Sequence, residues 1–347
     1  MKRIITILCL LLTGALLCSL VNYENSTRRK LRYKNLEYPA DWPAPVYDFK
    51  SNPLSEEGIE LGRQLFYDGL LSKDGNFPCA SCHQQGAAFG TFDHDLSHGF
   101  NDQHSLRNAP PLQNLAWQSL FHADGGINHL DVQPLAPITA PNEMAETIDN
   151  VLAKLQATKH YPPLFKQVFG SAQITTQNMS KALSQFLLTM ISANSKYDRV
   201  MAGKDTFSLP QQLGHQMFME KCAGCHPPPF FTDFSFRNIG LPVEPTLNDF
   251  GRMTITNDPR DSLKFKVPSL RNIAASYPYG HDGRIFDLQS MLDHYRNEVQ
   301  QSPTTDSLLQ KGIPLSNFQK GQIIAFLYTL TDSSFLKNKK LGAPGLP

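Results

Sequence analysis

Cys79-Ala80-Ser81-Cys82-His83 and Cys222-Ala223-Gly224-Cys225-His226 decide how the rest of the chain is read. Two thiols one helical turn apart reach both vinyl groups on one edge of a porphyrin, and the imidazole of the next residue then lies under the iron. Each stretch therefore matches the attachment signature of a c-type haem. His83 and His226 are the expected proximal ligands. A structural disulfide would leave both histidines without a task. A zinc site wants the two pairs closer and a closed four-ligand shell. A thioredoxin-like redox pair wants a βαβ context, which the flanking Pro227-Pro228-Pro229 does not supply. Two covalently bound haems c are the expected cofactors.

Working outward, the second motif sits in a half that echoes the first. Leu61-Gly62-Arg63-Gln64-Leu65-Phe66 returns as Leu213-Gly214-His215-Gln216-Met217-Phe218, and Ser105-Leu106-Arg107-Asn108 returns unchanged as Ser269-Leu270-Arg271-Asn272. Asp124-Gly125-Gly126-Ile127 with Leu130 returns as Asp282-Gly283-Arg284-Ile285 with Leu288. The order around each motif is the same, which predicts two cytochrome c-like haem domains related by internal duplication. Apolar residues spaced by three and four predict helices over 59–66, 148–155, 179–191, 211–219, 288–299 and 317–330. No segment alternates over six residues, so the fold is expected to be mostly α with short strands.

The chain has 347 residues, enough for two cores. Lys plus Arg number 32 against 31 Asp plus Glu, and no basic run follows Arg28-Arg29-Lys30, so no nucleic-acid partner is expected. Lys2-Arg3 ahead of the apolar stretch Ile4–Leu17 reads as a secretory signal, with an uncleaved anchor as the alternative. The expected organisation is a signal or anchor over 1–19, a Pro-rich linker over 20–52 and a first haem domain over 53–203. A second haem domain over 204–335 and a tail over 336–347 follow. Localisation is expected in the periplasm.

On the distal side of the first haem the residue types leave several options: His94, His98, His104, His122, Gln133 and Glu143. Their order resolves this, because the chain resembles the bacterial dihaem cytochrome c peroxidase and MauG superfamily over roughly residues 53–332. The resemblance rests on Leu61-Gly62 with Leu65-Phe66, Ser97-His98-Gly99-Phe100, Arg107-Asn108-Ala109-Pro110, Asp124-Gly125, Gln133 and Asn142-Glu143-Met144. It continues in the second motif and in Leu270-Arg271-Asn272-Ile273 leading to Pro278-Tyr279-Gly280-His281-Asp282-Gly283.

That resemblance implies that the haem on Cys79 and Cys82, over His83, is the peroxidatic one. It implies that His98 caps this iron in the resting oxidised state and leaves on reductive activation. Glu143 takes the part of the distal acid/base and Gln133 of the amide beside it. The haem on Cys222 and Cys225, over His226, becomes the electron-entry haem. Asn108, with the carbonyls of Ser276 and Pro278, matches an interdomain calcium site. The activity implied is reduction of hydrogen peroxide to water, with electrons from a small c-type cytochrome or cupredoxin. Dimers are common among relatives, so a homodimer is among the expected states. The alternatives are a MauG-like oxidase of a protein or small molecule and a dihaem electron-transfer cytochrome.

Two positions depart from the peroxidase pattern. The Trp that peroxidases carry before the first Asp-Gly is Ala123 here. Where they place a Met ligand for the second iron, this chain has Tyr295, as in the MauG branch, with Met291 one turn earlier as the alternative ligand. Only Trp42 and Trp117 are present and neither lies in the second half, so a tryptophan relay beside the second haem is not expected.

Overall fold

The computed structural model describes residues 31–92 and 94–345. The stretch read as a secretory signal or anchor, with Cys9 and Cys18, lies outside them. The described chain is mostly helical, and two antiparallel two-residue strands, Phe236–Arg237 and Phe265–Lys266, form its sheet.

Two helix pairs carry the architecture. In the first half the Glu56–Tyr67 helix packs along the Thr176–Leu188 helix; in the second, Leu209–Lys221 packs along Asn317–Leu327. The sequence explains why each helix starts where it does. Ser55 accepts from the Gly58 N–H, with Glu56 and Glu57 in the first turn opposite the positive end of the dipole. Ser208 with Gln211 and Ser316 with Gln319 form capping boxes. Leu61, Leu65 and Phe66 bury one stripe of the first helix, and Phe218 does the same for the third.

The recurring glycines explain how close the pairs lie. A Cβ on Gly62 would stand 2.7 Å from the Ala182 carbonyl carbon; one on Gly214 would stand 2.6 Å from that of Gln322. Neither leaves room for a methyl group, so glycine is what lets the backbones meet. Both Asp-Gly turns close by the same device. The Phe121 N–H donates to Ile127 O at 2.7 Å, and the Tyr279 N–H to Ile285 O at 2.6 Å.

Two apolar clusters form around these pairs. Leu61, Leu65, Phe66, Phe89, Phe165 and Phe186 centre the first, and Phe218, Phe231, Ile323 and Phe326 the second. The described part of the stretch read as a linker is packed instead of free. Trp42 is buried in the first cluster, and the Val46 and Tyr47 N–H groups donate to Ala116 O. Burying an indole outweighs leaving the Pro-rich stretch loose. The tail also returns, with Leu341 buried and its carbonyl accepting from the Tyr67 hydroxyl.

Two helical expectations change. The helix expected over 179–191 ends at Leu188, because Asn114 takes the next residues by donating to Met190 O and accepting from the Ser192 N–H. The helix expected over 288–299 is α only to Asp293 and continues as a π turn over His294–Glu298. The Tyr161–Phe169 helix went unread, although Pro162-Pro163 at its start and Gly170 at its end mark it.

Candidate active site

Each Cys-x-x-Cys-His stretch holds its histidine the same way. The first forms a one-turn helix, Cys79–Cys82, after which the His83 N–H donates to Cys79 O and its Nδ1 meets Phe89 O at 2.7 Å. In the second, the His226 N–H donates to Cys222 O and Nδ1 meets Phe231 O at 2.9 Å. A carbonyl oxygen can only accept, so each Nδ1 carries the proton and each Nε2 keeps a free lone pair. Burial pulls His83 down to about 4 and lowers His226 as well, so both rings are neutral at pH 7, the form that ligates iron.

The thiols fit covalent haem attachment. All four described cysteines are free and each keeps part of its surface accessible. Burial pushes Cys79 and Cys222 up to about 12, far from the low values that a thiol–disulfide pair needs. Unpaired sulfurs, with an oriented neutral imidazole beside them, suit a porphyrin held by two thioethers and one axial nitrogen.

Around the first motif the fold gathers three candidate groups. Burial raises Glu143, and its charge acts on Cys82, which places the carboxyl near the motif. Gln133 Nε2 lies 3.5 Å from His122 Nε2, and His122 is buried, lowered by that burial, and acts in turn on His83. The Asn142–Glu143 backbone is pressed against Gly99, where a Cβ would stand 2.8 Å from Glu143 Cα, and the Phe100 N–H donates to Glu143 O at 2.7 Å. The His98 loop therefore forms the bed on which Glu143 rests. His98 itself faces outward: half its side chain is exposed, and its ring lies 5.4 Å from that of His94 and 4.5 Å from that of His104. Ser81 Oγ lies 3.8 Å from the Cys82 sulfur, and Ser97, next to His98, also acts to lower that thiol.

Near the second motif Tyr295 is part-buried, its phenol raised first by burial and then by Cys225 and Cys222. It sits in the π turn, a rare distortion that concentrates at functional sites. His294 is turned the other way, with Nε2 on Ile239 O at 2.8 Å.

At the calcium position, the Asn108 side-chain N–H donates to Asp95 O and the backbone N–H to His281 O. Among the described residues no group of three or more His, Cys, Asp or Glu is arranged to hold a metal ion.

Sequence reading missed two arrangements. The recurring arginines cross-brace the halves: Arg107 pairs with Asp249 and Asp124, and fully buried Arg271 pairs with Asp198 at 2.8 Å and donates to Pro229 O. Their identical recurrence was the available signal. The position of the tryptophans in sequence also misled. Trp42 and Trp117 lie 4.8 and 5.1 Å from the Phe230 ring, one residue before the carbonyl that holds His226, and the Arg271 guanidinium stands 4.8 Å over Trp42. Tertiary packing supplies next to the second motif the indoles that its own half lacks. At Ala123 no ring is present. The Lys266 N–H donates to its carbonyl, and the preceding Phe265 stacks on His281 at 3.8 Å.

A helical fold with two Cys-x-x-Cys-His stretches, each with free thiols and an oriented neutral imidazole, fits a dihaem c-type cytochrome, and the di-haem cytochrome c peroxidase family matches residues 56–206. The chain belongs to that family, which implies two c-type haems and oxidoreductase chemistry. It is 36% identical over 295 residues to a methylamine utilization protein MauG of Methylorubrum extorquens, covering 83% of this chain and 82% of that protein. It is 32% identical to a cytochrome c551 peroxidase of Nitrosomonas europaea, covering 83% and 84%. Among solved structures, a MauG-like protein associated with microbial copper homeostasis superposes with a TM-score of 0.83 at 31% identity, covering 90% of this chain and 99% of that one.

Proposed function

We propose that this protein reduces hydrogen peroxide to water in the periplasm, drawing electrons from a small c-type cytochrome or cupredoxin. The observation that carries the reading is Glu143, a carboxyl kept protonated to higher pH by burial beside the Cys82 sulfur, with Gln133 and His122 near the same motif. A haem on His83 would bind the peroxide oxygen and pass electrons to the O–O bond when present. The protein's own residues then handle protons and orientation. The Glu143 carboxylate takes the proton from the bound oxygen and returns it to the leaving one, which departs as water. The Gln133 amide orients peroxide through a hydrogen bond. His98, on the loop that supports Glu143, is the ligand that withdraws on activation. Its exposed position agrees with a residue that leaves the iron.

In this reading the two halves, over 53–203 and 204–335, are copies of one haem-binding plan, the first adapted to peroxide and the second to electron entry. Tyr295 ligates the second iron in place of Met291, supported by its place opposite Cys222 and Cys225. Calcium would rest on Asn108 Oδ1 and the carbonyls of Ser276 and Pro278, because the Asn108 amide nitrogen is already committed to Asp95 O.

A second reading, MauG-like oxidation of a protein or small molecule, is favoured by Tyr295 together with the Trp42–Trp117–Phe230 contacts near His226. One experiment separates the readings. Half-reduced protein is mixed with peroxide and a reduced c-type cytochrome. Cytochrome oxidation in step with peroxide loss is expected, and Glu143→Gln slows it by roughly 10²–10⁴-fold. A long-lived oxidised spectrum without donor oxidation would favour the oxidase, and no spectral change would leave electron transfer alone.

A further inference from the structure

Lys266 is a part-buried cation that the chemistry above does not use. It belongs to the strand Phe265–Lys266 in the second half, yet it reaches into the first: Nζ donates to Leu120 O at 2.6 Å and to Gln118 Oε1 at 2.8 Å. Both acceptors are neutral, and the Phe121 ring 5.9 Å away adds only a weak attraction. The one carboxylate whose charge reaches it, Asp124, is paired with Arg107 and accepts from the Gly126 N–H. Lys266 itself forms no ion pair among the described residues. Burial pulls it down to about 8, so it is still mainly an ammonium at pH 7.

An ammonium withdrawn from water without an anion is unfavourable. It has three N–H donors, of which two are spoken for. The site also borders the surroundings of the first motif: His122, two residues beyond the Leu120 carbonyl that Lys266 holds, lies 3.5 Å from Gln133 and acts on His83. The anions that a haem brings to such a place are its propionates.

We propose that Lys266 binds a propionate of the haem carried by Cys79 and Cys82, so that a cation from the second half completes the pocket of the first. The third N–H makes the contact, while Gln118 and Leu120 fix the side chain. The cation then stabilises the reduced iron, since an added electron beside a positive charge costs less. The proposal rests on the two-haem reading, which a haem count per chain tests separately.

The holoprotein is produced with haem labelled with carbon-13 at the propionate carboxyls, as wild type, Lys266→Met, Lys266→Gln and Lys266→Arg. Infrared spectra and a redox titration of the first haem are recorded for each. The expected result is a shifted carboxylate band and a lower first-haem potential in the Met and Gln proteins, with Arg close to wild type. The Gln variant retains hydrogen bonding to Leu120 O and decides the matter if the Met protein loses its first haem. Unchanged band and potential in a neutral variant with two haems overturn the proposal while leaving the haem reading intact. Fewer than two haems in the wild type would instead remove the reading beneath it.

Discussion

Gly214→Ala tests the helix crossing beside the second motif. The added Cβ would stand 2.6 Å from the Gln322 carbonyl carbon and 2.9 Å from Phe326 Cβ, where ordinary contact begins near 3.4 Å. The obstacle is mostly backbone, so no side chain can swing aside. The Leu209–Lys221 and Asn317–Leu327 helices must separate by most of an ångström or more. Overpacking of this kind costs about 1–3 kcal/mol, against a gain of up to about 1 kcal/mol from replacing glycine within a helix. Gly321→Ala provides the control, because it lies on the partner helix with nothing within 4 Å of the new Cβ. That change should stabilise by about 0.4–1 kcal/mol. Holoprotein unfolding is followed by circular dichroism and haem absorbance. Gly214→Ala should lower the midpoint by roughly 2–4 °C per kcal/mol lost, and Gly321→Ala should raise it. Because the Leu209–Lys221 helix runs directly into Cys222, the spectrum of the second haem should change more than that of the first. Equal or greater stability of Gly214→Ala would refute the close-crossing argument.

Three further outcomes are expected. Burial holds the Glu143 pKa above its ordinary value of 4.5, so peroxide cleavage should climb as pH rises through that raised value, and Glu143→Gln should abolish the rise. The sign for stability is the reverse: a carboxyl raised on folding loses its contribution as pH rises through the folded value, so Glu143→Gln should gain stability over wild type in urea titrations at neutral pH. Tyr295→Phe should change the spin state of the second haem by electron paramagnetic resonance; an unaltered signal would pass the ligand role to Met291 or water. His98→Ala should turn over peroxide without prior reduction, and a variant still inert when fully oxidised would contradict the withdrawal of His98.

The two attachment motifs were legible in the sequence because covalent attachment demands fixed local spacing. Apolar spacing found the helices but not their exact starts or their crossings: Ser55, Ser208 and Ser316 cap them, and the recurring Leu-Gly pairs that mark the crossings read in sequence only as a repeat. What escaped was long-range. The pairing of Arg271 with Asp198 depends on a fold that brings the two halves together, and so does the seating of Trp42 against Phe230. The π turn escaped because apolar spacing over 288–299 fits an α-helix equally well. Lys266 did leave a trace, a lysine between Phe265 and Val267, but a charge in an apolar run becomes informative only once its acceptors are known.

That π turn bears on how such proteins change ligand. A π turn holds one residue more than the α-helical turn it replaces, so every side chain beyond it is rotated relative to those before. Met291 lies before the distortion and Tyr295 within it. On the ligation proposed above, loss of His294 would restore α-helical winding and change how Tyr295 is turned relative to Cys222 and Cys225, so the donor offered there would be open to change by a one-codon deletion as well as by substitution.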